Sequence, residues 1–428
     1  MTGRLVARVG LLWRLALRNV VREARRSALI AAAMVIGLGL LMISRAIADG
    51  AHEAWISAGV RLGTGHVAIQ APGFLQTGSL SSRLDSAQLA RAAAALGRPD
   101  IAPLVRKVAP HLSVSGMASS ASGAIAVQIE GVDPEVERTF SELPEKLAGG
   151  RYLEPEDRLG AFVGVGLLAR LGLQVGSRLV LTAQGAGGEL EGQLVRVVGT
   201  FRTGIPEMDE GVVHIPLGTA RRWLGTPGAV TTLAVLLRRS WDTPSVLRSL
   251  RAALGPEKAS GIRVLSWREA SPELDSAVRV DDFGDYVFHG ILLAIVTLAI
   301  LNAILMSVLH RRREFGVLQA LGLTQRETGA VVFAEGVSLA GLSGVVGLVL
   351  GFAVTWLFWR HGLDLSALMK QDIPVSGVAA SPVIVPIFRF VQVLESLAFT
   401  LLIGVLASIY PARAAMRIDV AEAMTFDR

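Results

Sequence analysis

Four stretches of this chain, residues 27–44, 286–310, 336–359 and 396–412, contain no Asp, Glu, Lys or Arg and consist mainly of Leu, Ile, Val, Ala and Gly. A helix needs roughly 17 to 25 residues to cross a hydrocarbon core about 30 Å thick. The middle two runs reach the upper end of that range and the outer two the lower, so four transmembrane helices are expected. Composition agrees: 51% of residues are hydrophobic, 18% are charged and the mean hydropathy is +0.50, whereas soluble domains are roughly a quarter charged. Two further uncharged runs, 62–82 and 108–129, are equally long but crowded with Ser, Gly and Pro. Such runs transfer poorly into lipid, and both are placed outside the membrane.

Charge sets the expected orientation. The net charge of +6 is accounted for by residues 1–27, which hold seven arginines against Glu23, while the remainder balances at 35 basic and 35 acidic. A nucleic-acid-binding domain is not expected from that distribution. Lys and Arg flanking a span stay on the cytoplasmic side. Arginines precede the first run, Arg311, Arg312 and Arg313 follow the second, and Arg413 and Arg417 follow the fourth. Both termini are therefore expected in the cytoplasm. The segment from Arg45 to Asp285, with 25 basic and 26 acidic side chains, is then outside, and its near-neutrality suits a translocated domain. The first run follows arginines as a signal peptide does, but its apolar part is longer and no small-residue cleavage motif stands out, so it is expected to remain as an anchor.

The expected fold class is an α-helical membrane protein with four transmembrane helices and a large α+β extracytoplasmic domain inserted between helices 1 and 2. The boundaries read as an amphipathic cytoplasmic helix at 1–27, spans at 28–48, 286–310, 331–359 and 395–412, and the outside domain at 49–285. A cytoplasmic segment at 311–330, an outside loop at 360–394 and a cytoplasmic end at 413–428 complete the chain. Alternation and Gly/Pro punctuation within the outside domain predict strands at 66–71, 125–131, 178–182, 194–200 and 231–237, with a hairpin tip at 185–188. Helices are predicted at 86–96, 166–173, 217–224 and 243–254.

Before the first span, Arg14, Arg18 and Arg22 recur at i+4 among leucines and valines, with Arg25 and Arg26 following. A helix there carries a basic stripe suited to the membrane surface, or simply forms the positive flank of the span. In the third span Gly336, Ala340 and Gly344 share one i+4 row and Ser343, Gly347 and Gly351 another. Small residues let helix backbones approach where lipid tails supply no hydrophobic drive. That face is expected to pack against a helix of this chain or of a second subunit.

Signals for an enzyme are poor. No cysteine is present, which excludes disulfides, thiolate metal sites and cysteine nucleophiles. His52-Glu53 lacks the second histidine of a zinc helix, and neither a phosphate-binding Gly-Lys-Ser/Thr loop nor a Gly-x-Ser-x-Gly elbow occurs. Glu207, Asp209 and Glu210 form the best acidic cluster and are read as a solvated loop. Catalytic and metal sites are assigned to no residue.

After the second span, Arg311-Arg-Arg-Glu-Phe-Gly-Val-Leu-Gln-Ala-Leu-Gly-Leu-Thr324, leading through Phe333-Ala-Glu-Gly336 into the third, resembles the FtsX/MacB/LolC-LolE family of ABC-transporter permeases. So do Tyr410-Pro-Ala-Arg-Ala-Ala-Met-Arg-Ile-Asp-Val-Ala-Glu-Ala423 near the end, and the outside stretches 149–153, 163–166 and 197–199. Helical spacing of Phe315, Leu318 and Leu321, with Gly322 able to end the helix, leaves an apolar face to be covered.

The resemblance implies that this helix is the coupling helix, with Glu314, Phe315, Leu318, Gln319, Leu321 and Gly322 meeting a separate ABC ATP-binding subunit. It implies no cofactor in this chain, with ATP and Mg in the partner. A second permease copy or paralogue is implied too, in the bacterial inner membrane. Mechanotransmission is the implied mode: coupling helices move and the first two spans relay the motion outward. Release of lipoproteins to a periplasmic carrier is the leading function. MacB-like efflux with an adaptor and FtsX-like activation of a wall hydrolase are the alternatives.

Overall fold

The computed structural model describes residue 18 and residues 24–63, 65–359, 362–364, 374–375, 378–379, 383–387 and 390–418. Arg14 and Arg22 of the basic stripe, and most of the 360–394 loop, lie outside these residues. The described residues divide into two compact units, one drawn from 1–51, 281–364 and 383–428 and the other from 52–280 and 365–382.

In the first unit, four helices are long and apolar enough to cross a membrane. They are α1 (Ala24–Leu62), which also contains Arg25 and Arg26, α7 (Pro272–His310), α9 (Gln325–Trp359) and α10 (Phe390–Met416). Intervening helices are numbered below. Met34 and Leu38 of α1, Ile300 and Ile304 of α7, Leu339 and Ala340 of α9, and Ile403 and Ala407 of α10 form one buried cluster. Large side chains such as Ile291, Ile295, Leu298, Leu342, Val349 and Leu402 point outward instead. The interior is apolar as in a soluble protein, but the exterior is apolar too, as a hydrocarbon solvent permits. Two buried hydroxyls are satisfied within their own helices: Thr355 Oγ1 donates to Gly351 O at 2.7 Å and Ser408 Oγ to Gly404 O at 2.6 Å.

Both rows of small residues in α9 are buried. A Cβ at Gly336 would overlap the Ser408 side chain of α10, and Ala340 packs against Gly404. On the other row, a Cβ at Gly347 would lie 3.1 Å from Val35 O and one at Gly351 3.2 Å from Met42 Cβ, both on α1. The third span thus uses one row for each of two neighbours within the chain.

Helices α1 and α7 are longer than their apolar runs, at 39 residues each, because the polar continuations still bury one face. In the second unit Ile56 and Val60 of α1 and Val278 of α7 pack with Phe140, Trp267, Ala234 and Leu236. Leu274 lies so close to Gly59 that a Cβ there would meet its Cδ2 at 2.8 Å.

The rest of the second unit is α+β. Its strands are β1 (Val67–Gln70), β2 (Val105–Ser120), β3 (Gly123–Val132), β4 (Leu147–Gly150), β5 (Gly160–Gly164), β6 (Arg178–Gln184), β7 (Leu190–Phe201), β8 (Val212–Pro216), β9 (Thr232–Leu237) and β10 (Arg263–Ser266). Strand pairing runs β10-β1-β9-β2-β3-β8-β5-β7-β4, and β6 pairs with both β2 and β7. Strands β2, β3, β8, β5, β7 and β6 therefore close into a ring. Alternation along β6 places Leu179, Leu181 and Ala183 inward with Val114, Ile129, Val163, Val197 and Val213. Helices α4 (Val165–Leu171) and α5 (Leu217–Trp223) add Leu167, Leu168, Ala220 and Trp223 to that core. A second core packs α2 (Ser86–Leu96) and α6 (Thr243–Leu254) on β1, β9 and β10. Helix α2 starts with a capping box in which Asp85 accepts from Gln88 N and Asp85 N donates back to Gln88 Oε1. The remaining short helix of this unit used below is α3 (Pro134–Phe140).

Candidate functional site

Helix α7 ends at His310, Arg311 leaves helical geometry, and a short helix, α8 (Arg312–Ala320), follows. Gly322 at φ 103° stops it: Gly322 N–H reaches Gln319 O at 3.0 Å and Leu323 N–H reaches Leu318 O at 3.1 Å. A left-handed residue just past the last turn is tolerable here because glycine has no Cβ. Helix α9 then begins behind Thr324, whose hydroxyl and backbone N–H both pair with Glu327.

The two faces of α8 are unlike. Phe315 is 1% exposed and packs with Val308, Val332, Ala412, Ala415 and Ile418. The expectation that Phe315 meets the ATP-binding subunit is corrected: its ring is enclosed by this chain's own helices. Leu318 packs at the edge of the same cluster, and Gln319 is half-buried with its amide nitrogen unpartnered among the described residues. The open face carries Arg313, Glu314, Val317, Ala320 and Leu321, the last 77% exposed. Val317 and Leu321 stand at i+4 on this face, so the apolar contact available to another protein is rotated from the one expected. Val317 was missed because an apolar residue on each side of a nine-residue helix leaves two equally valid stripes. Only the position of α10 chooses between them.

That choice gives the C-terminal motif a role. Ala412 and Ala415, from the Tyr410-Pro-Ala-Arg stretch, floor the Phe315 pocket, and at Gly329 a Cβ would meet Met416 Cγ at 2.5 Å. Two motifs nearly a hundred residues apart are therefore one packed corner. The outside motifs also converge. Arg151 N–H donates to Val198 O at 3.1 Å, and Gly199 lies so close to the Arg151 carbonyl that no side chain fits. Gly164, at the end of β5, has the same relation to the Asp209 backbone.

The acidic cluster is structural where it is buried. Asp209 accepts from Thr203 N and Thr203 Oγ1 at 2.7 and 2.8 Å and from Gly204 N at 3.1 Å, tying down the loop that follows β7. Glu210 pairs with Arg170 at 2.7 Å. Among the described residues no group of His, Asp and Glu has the arrangement of a metal site.

A further polar group is enclosed in the second unit. His111 Nε2 lies 2.8 Å from Glu137 Oε2, Ser113 Oγ bonds Glu130, and His214 is nearby with Nδ1 unpartnered among the described residues. These residues, with Leu62, Met208 and Thr232, line a cavity of about 110 Å³. Burial opposes charge on His111, but the Glu137 carboxylate outweighs it and raises the imidazole above its ordinary pKa. Burial raises Glu130 and depresses His214 to about 4.

Comparison with known proteins accounts for both units. The family model for the MacB-like periplasmic core domain matches residues 27–253, more than half the chain, and that for the FtsX-like permease C-terminal region matches residues 286–420. The lipoprotein-releasing system transmembrane protein LolC of Neisseria meningitidis serogroup B is 24% identical over 329 residues, 74% of this chain and 78% of its own length. The macrolide export ATP-binding/permease protein MacB of Bdellovibrio bacteriovorus is 23% identical over 336 residues, 76% of this chain and 47% of its own length. The extracellular domain of the transporter YknZ from Gram-positive bacteria aligns with 47% of this chain and 99% of its own, at 14% identity and a TM-score of 0.33. The chain belongs to the FtsX/MacB/LolC-LolE family and is an ABC-transporter permease with a large extracellular α+β domain between its first two membrane helices.

Proposed function

We propose that this permease couples ATP hydrolysis by a separate ATP-binding subunit to movement of its extracellular domain, and that its task is to release lipoproteins from the inner membrane. The observation that carries the coupling is the open face of α8, where Val317 and Leu321 present apolar surface beside Arg313 and Glu314. Such a face at the cytoplasmic end of two spans suits a protein partner, because Arg312, Arg313 and Glu314 in the first turn set charge beside the apolar surface. Both termini are then cytoplasmic, in keeping with the arginines that flank the spans. Two copies, or one copy and a paralogue, would bring a pair of coupling helices to a pair of ATPases. ATP and Mg are held by that partner. The partner can bias the permease only through its differential affinity for two arrangements.

Lipoprotein release is favoured over other cargo by the LolC relative, which is matched along most of its length without an ATP-binding portion. The MacB relative favours a second reading, adaptor-assisted export. The test is reconstitution of the native-host complex in liposomes with a triacylated lipoprotein as probe. ATP-dependent transfer of the lipoprotein to the soluble fraction is expected. ATP-dependent export of a macrolide with no lipoprotein transfer would replace this reading with the second, and absence of a co-purifying ATPase would overturn the coupling itself.

A further inference from the structure

The second apolar run ends at Arg311 and the third begins just after Glu335, so these are the charged residues that bracket the two spans at one end. The fold brings them together. Arg311 Nη1 donates to Glu335 Oε1 and Oε2 at 2.9 and 3.0 Å, and their side chains are only 6% and 13% exposed. The same guanidinium donates through Nε to Glu314 Oε2 of α8 at 2.9 Å and lies 5.1 Å from the centroid of the Phe315 ring. One side chain at the end of α7 thus grips both α8 and α9. A lysine has no planar fork and could not make the same set of contacts.

We infer that Arg311 and Glu335 form the joint through which displacement of α8 is passed into the second and third spans; the inference rests on the coupling reading above. The apolar contacts at this corner, Phe315 against Val308, Val332 and Ala412, are non-directional and can slide with little loss as long as they stay covered. An enclosed, doubly hydrogen-bonded charge pair cannot, since separating it leaves an uncompensated charge out of water. The cavity beside the pair, lined by Ile304, Ser307, Gly336 and Leu339, is about 20 Å³, room for about one water molecule and too little for solvent screening. Motion of α8 therefore carries α9 with it, whereas a greasy contact alone would let α8 rock in place. Arg311 and Glu335 act as positioning residues, with no contact to nucleotide assigned to either.

The chain has no cysteine, so spin labels at Leu298→Cys on α7 and Leu342→Cys on α9 report span movement cleanly. The complex purified from native membranes with its ATP-hydrolysing subunit, in nanodiscs, is compared with and without ATP and vanadate. Glu335→Gln should retain the subunit and hydrolyse ATP within about twofold of the parent, yet lose at least fivefold of the nucleotide-dependent change in label distance. Arg311→Lys should lose most of it, and the exchanged set Arg311→Glu/Glu314→Arg/Glu335→Arg, which keeps opposite charges at both contacts of position 311, should restore at least half. A parental distance change in Glu335→Gln overturns the joint and leaves the coupling reading intact. Failure of the parent chain to retain an ATPase overturns the reading beneath it. If Glu335→Gln does not insert, the exchanged set decides: restored folding without restored motion assigns the pair to stability alone and overturns the inference.

Discussion

The two units differ more at their surfaces than in their interiors. Both bury Leu and Ile, but the extracellular domain is charged outside, whereas the membrane unit turns further Leu, Ile and Val outward and sets Gly, Ala and Ser where its helices approach most closely. Exposure therefore has no fixed meaning along one chain. Leu190, on the β6–β7 hairpin, and Leu342, on α9, are 78% and 64% exposed, yet water surrounds the first and lipid is proposed to surround the second.

The most costly substitution is expected in the domain core. Phe201 is fully buried between Phe162 and neighbouring apolar groups, with ring centroids 5.2 Å apart, and Phe201→Ala should cost about 3–5 kcal/mol, measured by denaturant unfolding of the full chain in detergent. Leu342→Asp should follow at about 3 kcal/mol, the scale for an acidic residue near the middle of a span, read as loss of membrane insertion. If Leu342→Asp inserts normally, α9 does not face lipid there. Removing a partner from the buried His111–Glu137 pair should cost about 1–3 kcal/mol, so His111→Gln is expected to lower the melting temperature of the full chain. Leu190→Asp should change stability by no more than about 0.5 kcal/mol, the usual range for surface sites.

The buried His111 cluster makes the stability of the extracellular domain depend on pH. His111 has a raised pKa when folded, so its contribution is complete below its unfolded value and is lost as pH rises through the folded one. Glu130, raised by burial, acts in the same direction, because ionising it is easier in the unfolded chain. Glu137 is lowered overall: burial raises it, but His111 more than offsets this, so its contribution is lost as pH falls through its folded pKa. His214, depressed to about 4, adds a decline as pH falls below the ordinary histidine range. The melting temperature should therefore fall on both sides, and His111→Gln should flatten the alkaline side.

Much of this architecture is legible in the sequence, and the failures are instructive. Uncharged runs locate the spans, and hydrophobic periodicity finds α2 and α6 at their observed ends, Ser86–Leu96 and Thr243–Leu254. The sixteen-residue β2 escapes the same reading. Its inward residues include Ala118 as well as Leu112 and Val114, and its outward residues include Met117, so polarity does not alternate cleanly. Phe315 fails for a related reason. An apolar stripe says that something must cover it, but whether a partner or this chain does so is decided by Ala412 and Ala415, far along the sequence. Likewise Arg311 and Glu335 are each unremarkable flanking charges until the fold closes the distance between them.

Helix α8 turns Phe315 inward and leaves Val317 and Leu321 open, the face proposed to meet an ATP-binding subunit. Photo-crosslinking in native membranes tests it most directly, with benzoylphenylalanine placed at Leu321 in one sample and at Phe315 in another. An adduct to a protein carrying a phosphate-binding loop is expected from position 321, with only intrachain products from position 315. The reverse pattern, with the ATPase captured from 315 and nothing from 321, would contradict it.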